Sequence, residues 1–272
     1  MGNLLNTLKS KLLIRDIFVN KKLIWDLSKN DFKTRYSGSY FGIAWGFIQP
    51  IITVLVYWFV FTVAMGFDKM DGVPYALWLV SGLVPWFFFS DGLTGGTTSL
   101  MEYSYLVKKV VFNIDILPVV KTVSAIYTHC FFIIFTIIMY LAAGYPLDIH
   151  YLQIIYYSFC TFMFSLSLSY ITSSIVVFFR DLTQIVSILL QIGVWITPIL
   201  WTMDRIHGKL VWFFYLNPVY YLVVGYRDSF ITHTGILDRW RMGLYFWVVT
   251  FILLYLGRKL FRRLKPHFAD VL

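Results

Sequence analysis

Lys108-Lys-Val-Val-Phe-Asn-Ile-Asp-Ile-Leu-Pro118-Val119 is a short, charged-then-apolar segment between two long hydrophobic runs. Pro118 suits the first turn of the run that follows, where a missing backbone N–H costs nothing. Such a segment can lie flat under a bilayer and offer a surface to something soluble. The expectation is that it receives mechanical work from a partner and passes it to membrane helices.

The composition supports a bilayer. The chain has 272 residues, 59% hydrophobic, 20% aromatic and 14% charged, with mean hydropathy +0.71. Soluble domains are about 45–50% apolar and about 25% charged. The net charge of +9 sits on basic residues beside apolar runs, which fits anionic lipid rather than nucleic acid. Cys130 and Cys160 both fall inside apolar runs, and no Cys/His metal spacing is present. Residues 1–36 lack the compact apolar core and small-residue cleavage site of a signal peptide.

Residues 4–27 alternate apolar and basic positions at roughly helical spacing, which predicts an amphipathic helix along the membrane interface. Lys33, Arg35 and Tyr36 follow at headgroup level. The two basic residues are equally suited to clamping a substrate phosphate and to ordinary lipid attraction. Gly38, Gly42 and Gly46 recur every four residues, which predicts a bare helix face. A crossing needs about 20 apolar residues. The first five are predicted at 48–65, 75–89, 119–145, 154–179 and 183–201, with a small, polar continuation after the second at 90–100. Ser158, Thr161, Ser165, Ser169 and Thr172 share one face of the fourth, which reads first as a close helix contact and second as a polar path.

Residues 202–240 decide the topology. Leu210–Val224 is apolar but short, and Asn217-Pro218 cuts it in two; 242–257 is a clear last crossing with a basic tail behind it. With six spans both termini are cytoplasmic, and the inside holds 17 of the 23 Lys and Arg residues. A seventh span would put the basic tail outside, against the positive-inside rule. Residues 202–240 are therefore predicted as two short re-entrant helices entering from the outer side. Irregular backbone at that depth needs protein or water around it, which implies a cavity mouth or gate.

No catalytic set is visible. The five histidines are scattered, and Asp115, Asp181 and Asp228 lie far apart in sequence. His129 lies inside the third crossing; an intramembrane ionisable group invites a functional reading, against which stands a neutral histidine hydrogen-bonded to a neighbour. No P-loop occurs, so ATP is not expected to bind here. The aromatics Trp212, Phe213, Phe214, Tyr215, Tyr220, Tyr221 and Tyr226 read either as interfacial anchors or as a surface on which sugar faces stack.

Four blocks carry a resemblance. They are Asp31–Trp45 leading to Pro50; Leu83–Ser90 with Leu106–Pro118; Phe179-Arg-Asp181 through Thr197-Pro198; and Leu216–Tyr221 with Gly225-Tyr-Arg227. Taken in order they span most of the chain, which resembles the permease subunits of ABC exporters for lipid-linked polysaccharides: teichoic acid, O-antigen or capsule. Asn113 departs from the family, which usually has Pro after the Phe, and this bears on the geometry of the segment around it. The resemblance implies an all-α membrane protein. An interface helix and lead-in would occupy 1–47, and a six-helix permease domain 48–272. It implies two copies of this chain with two of a separate ATPase that holds the ATP and magnesium, in a bacterial cytoplasmic membrane. It makes Lys108, Lys109, Phe112, Asn113, Ile114, Asp115, Ile116 and Leu117 the ATPase-coupling segment, with Arg180 and Asp181 as a second contact. Trp212, Tyr215, Asn217, Pro218, Tyr220, Tyr221 and Arg227 fall in its outer gate. The implied cargo is a polyprenyl-diphosphate-linked glycan, wall teichoic acid first. A drug exporter and a membrane-embedded glycan transferase are the rivals; the second would need an acid/base set that the residues do not offer.

Overall fold

A computed structural model describes residues 19–108, 113–203, 206, 208 and 210–272. Much of the expected interface helix, residues 4–18, lies outside these; its last part forms α1, Lys21–Thr34. A 3-10 turn at Gly42–Ala44 leads into α2, Trp45–Trp58, which ends in a π-helical stretch, Phe59–Ala64. The small antiparallel pair β1, Lys69–Met70, and β2, Val73–Pro74, turns the chain into α3, Tyr75–Glu102. Then come α4, Ser104–Val107; α5, Leu117–Ala142; α6, Gln153–Val176; and α7, Leu182–Ile196. The short α8, Leu210–Tyr215, and α9, Pro218–Arg227, precede α10, Trp240–Leu264, and α11, Phe268–Val271.

Five helical stretches among the described residues are long and apolar enough to cross a membrane: Gly42–Ala64, Tyr75–Glu102, Ile114–Ala142, Ile149–Val176 and Ile236–Val271. The protein is thus an all-α, multi-pass membrane protein. The fifth predicted crossing is shorter than expected: α7 has 15 residues and stops at Thr197. The residue before a proline is steered out of the helical region, and Thr197, before Pro198, is extended at φ −73° and ψ 134°.

The second crossing is longer than expected. The stretch from Ser90 to Leu100 does not bend away but continues α3 to Glu102. α3 and the stretch containing α6 are mostly buried, whereas Gly42–Ala64 is mostly exposed. The inner pair is therefore α3 and α6; α5 and α9 pack on α3, and α10 packs on α6.

The small-residue face of α6 makes this pairing close, as the helix-contact reading expected. Ser165 Oγ donates to the Phe89 carbonyl and Ser169 Oγ to the Gly92 carbonyl, both at 3.4 Å; the Thr97 and Thr172 hydroxyls meet at 2.7 Å. Lipid supplies little hydrophobic drive for one helix to meet another, so small residues and hydroxyls carry the contact.

The glycine stripe before α2 is corrected. Gly38 and Gly42 adopt φ +90° and +51° and build turns, not a helix face. Of the three, Gly46 lies within the α-helix, and a Cβ there would come 2.9 Å from the Tyr36 hydroxyl.

A Cβ at Gly96 would lie 2.0 Å from Ser169 Oγ and 2.4 Å from its Cβ. Overpacking of this kind costs about 1–3 kcal/mol. Gly96→Ala should lower the melting temperature of the purified protein, and adding Ser169→Gly should restore most of it. A Gly96→Ala protein melting with the wild type would contradict the seam.

Candidate functional site

Two ends of the helix bundle carry the chemistry. At the Asp115 end, Lys108 is exposed just after α4, while Lys109 and Phe112 lie outside the described residues. The Asn113 side chain accepts a hydrogen bond from the Asp115 backbone N–H at 3.3 Å and caps a 3-10 turn, Ile114–Ile116, that runs into α5. Ile114, Ile116 and Leu117 are buried in an apolar cluster with Val107, Val177, Phe261 and Phe268. These three therefore anchor the segment, and among its described residues Lys108 is exposed and Asn113 and Asp115 are partly exposed.

The anchoring is also polar. The Asp115 carboxylate pairs with Lys265, beyond the end of α10, and its carbonyl accepts from Tyr170 Oη on α6 at 2.8 Å. One segment is thus tied to α5, α6 and α10. Arg180 and Asp181 are exposed at the same end, just beyond the Val177 that joins the shared cluster.

Beside it lies a polar cavity of about 370 Å³, lined by Asp31, Thr34, Arg35, Asp91, Thr98, Glu102 and Lys121 among others. Lys121 on α5 is 4% exposed, and its ammonium bridges Asp31 and Glu102, each at 2.5 Å. Arg35 reaches Asp91 at 2.6 Å and Asp31 at 3.5 Å. Tyr103 Oη donates to Asp31 at 3.1 Å, and Ser28 Oγ donates to the Val120 carbonyl at 2.9 Å. Burial alone would raise the Asp31 carboxyl, but Lys121, Ser124 and Arg35 together outweigh it, so the group sits below the ordinary carboxylate range. Burial likewise opposes the Arg35 charge, and Asp91 and Asp31 more than restore it. Lys33 is exposed, and Tyr36 is half-buried with its phenol pushed up by burial. The sequence left Arg35 evenly between a phosphate clamp and ordinary lipid attraction; in the fold its guanidinium is held by two carboxylates.

At the opposite end, α8 presents Trp212 and Tyr215 to the outside, whereas Tyr220 and Tyr221 of α9 are buried. Asn217 and Pro218 start α9. Asn217 accepts from the Val219 backbone N–H at 3.0 Å and donates to Thr197 Oγ1 at 2.9 Å. Arg227 is buried. It donates to the carbonyls of Pro198 and Ile199, both at 2.7 Å, and lies 3.4 Å from the centre of the Trp78 ring. These bonds fasten α9 to the break that ends α7. Next to it, Asp228 pairs with Arg239 in a two-bond fork.

His129 sits between the two ends, 2.9 Å from both Ser158 Oγ and Tyr226 Oη, with its ring stacked on Phe88 at 4.3 Å. This is the hydrogen-bonded histidine that the sequence weighed against a functional one. The fold also collects what looked scattered: Asp148, His150 and His233 bring one ligand atom each within 4.8 Å of one another. Sequence spacing gave no sign of it, because His150 and His233 come from separate loops.

With the geometry in place, similarity to known proteins is informative. The sequence model of the family described as ABC-2 type transporter matches residues 22–231. Two Klebsiella pneumoniae proteins, each named O-antigen export system permease protein RfbA, are 27% identical to this chain over 247 residues, covering 90% of it and 93% of each relative. A Myxococcus xanthus protein of the same name is 28% identical over 260 residues, covering 95% of this chain and 98% of its own.

Removing one partner of a buried pair leaves an uncompensated charge, at about 3–5 kcal/mol. Lys121→Met should therefore destabilise the protein by that order, and Asp31→Leu with Lys121→Met by clearly less, in a double-mutant cycle on detergent-induced unfolding. Since the native Asp31 is depressed, its contribution is full above the unfolded value of about pH 4 and falls as the pH drops through the native value. Stability should decline below about pH 4 in the wild type and more gently in Asp31→Asn.

Proposed function

The chain belongs to the ABC-2 type transporter family, and we propose that it is the membrane subunit of an ATP-driven exporter that moves a lipid-linked surface polysaccharide across the bacterial cytoplasmic membrane. The observation that carries this reading is similarity running nearly end to end with three proteins named as O-antigen export permeases. The sequence blocks put wall teichoic acid first; the names of these relatives favour an O-antigen-type glycan.

In this reading α7 completes six crossings, α8 and α9 re-enter from outside, and both termini face the cytoplasm. Two copies pair to form the path, and each engages one separate ATPase subunit that binds ATP and magnesium. The segment 108–117 is the contact for that ATPase, with Lys108, Asn113 and Asp115 as its accessible part and Arg180 and Asp181 beside it.

The ties described above give a route for work. A push on the Asp115 turn acts on α5 directly, on α6 through Tyr170 and on α10 through Lys265. Through Lys121 and Asp31 it reaches α1, and through Arg35 and Asp91 it reaches α3. The charged cavity lies along this route. A cargo phosphate can enter it by taking the place of Asp91 on Arg35, with Lys33 and Tyr36 at its edge. At the far end the Arg227 clamp and the Trp212, Tyr215, Tyr220 and Tyr221 aromatics form the gate.

Asp115→Ala should leave the chain assembled with its ATPase and hydrolysing ATP. Surface polymer should fall about tenfold, equivalent to about 1.4 kcal/mol of lost coupling; Lys265→Ala should behave alike. The reading fails if the complex hydrolyses ATP yet depletion of this chain leaves every surface glycan unchanged. Glycan analysis after depletion also separates O-antigen from teichoic acid and both from a drug cargo.

A further inference from the structure

The connection between α5 and α6 ends on Asp148, which caps a 3-10 turn, Ile149–Leu152. Its Oδ1 accepts from the His150 backbone N–H at 2.8 Å, and the His150 Nδ1 meets the same oxygen. His233 arrives from a different part of the chain, just after the π-helical stretch Asp228–Thr232 that prolongs α9. Its Nδ1 lies 3.5 Å from Asp148 Oδ1, and the two imidazole rings are 5.5 Å apart. Each of the three residues is at least partly open to solvent.

His233 holds this place in an uncommon conformation. Its φ of +50° is left-handed, which is rare outside glycine and tolerated best by Asn, Asp and His. Two further contacts join these loops. Tyr151 packs edge-on against Phe230 at 5.0 Å, and Gln153 Nε2 donates to the Thr234 carbonyl at 3.2 Å. Two imidazoles and a carboxylate are therefore presented on a fixed frame.

We propose that Asp148, His150 and His233 bind a borderline divalent transition-metal ion, zinc being the probe, and that the ion clasps the α5–α6 connection to the end of α9. Imidazole with one carboxylate is a zinc-type donor set, and three protein ligands leave a position for water. Calcium and magnesium prefer all-oxygen surroundings and are excluded by the two imidazoles. Ligand atoms about 2.0–2.1 Å from a tetrahedral zinc stand about 3.4 Å apart. The present atoms lie within 4.8 Å of one another, so binding asks for only a small adjustment of the three side chains. Binding is independent of the export reading; only the side of the membrane the ion faces rests on it.

The test uses the full chain in lipid nanodiscs, purified with a tag that contains no histidine. Zinc is titrated in competition with a chromophoric chelator. One zinc per chain is expected, undisturbed by excess calcium or magnesium, with a rise in melting temperature. His150→Gln and His233→Asn should each weaken zinc at least about tenfold, a loss that second-shell changes already reach. Asn suits the left-handed position, so His233→Asn keeps the turn, and equal melting without zinc verifies that both variants are folded. The site is refuted if the wild type takes up no more zinc than the triple variant Asp148→Asn, His150→Gln, His233→Asn. It is equally refuted if both single variants bind zinc like the wild type.

Discussion

A lysine ammonium buried near the start of a membrane helix must find opposite charge. Lys121 meets that demand with Asp31 and Glu102, and Asp31 in turn shares Arg35 with Asp91. Lys121 and Asp31 are buried, so desolvation would cost each several kcal/mol without close partners, whereas Glu102 is half exposed and Arg35 and Asp91 are partly so. The network therefore fixes where α1 lies on α5 and where both lie on the end of α3. Apolar packing could tolerate many such placements; five mutually dependent charges tolerate few.

The rest of the core follows a different rule. Between α3 and α6, Gly92 and Gly96 face Ser165 and Ser169, so two backbones approach within hydroxyl reach. Outer faces of α2, α7 and α10 carry large exposed apolar side chains such as Leu55, Leu189 and Phe251. Large apolar side chains such as Trp78, Leu79 and Phe132 fill the interior too, and the small and hydroxyl residues let the helices close around them. The small residues of α3 admit α6 closely, and α3 is the most buried of the five crossings although among the less apolar.

Much of this was legible in the sequence. The long apolar runs, the Asn217-Pro218 break and the hydroxyl face of α6 are local patterns with a mechanism, and each appears in the fold. What escaped was set by partners distant in the chain. Nothing near Arg35 announces Asp91, 56 residues on. Nothing near His150 announces His233. Gly38 and Gly42 mimicked a helical repeat because spacing alone does not reveal backbone sign. The buried state of Ile114, Ile116 and Leu117 was likewise hidden, since the cluster that covers them draws on Val177 and Phe268.

The early end of α7 has a consequence for what surrounds it. Fifteen helical residues rise about 22 Å, short of a hydrocarbon core of about 30 Å. Beyond that end Thr197 is extended and the chain turns, and the Arg227 guanidinium occupies the carbonyls of Pro198 and Ile199. Thr197, Ile199 and Leu200 are nonetheless buried, so protein rather than lipid surrounds this break. Irregular backbone is tolerated at membrane depth on that condition, because the polar groups it frees find partners inside the fold. The helix can therefore stop early without drawing water to its end.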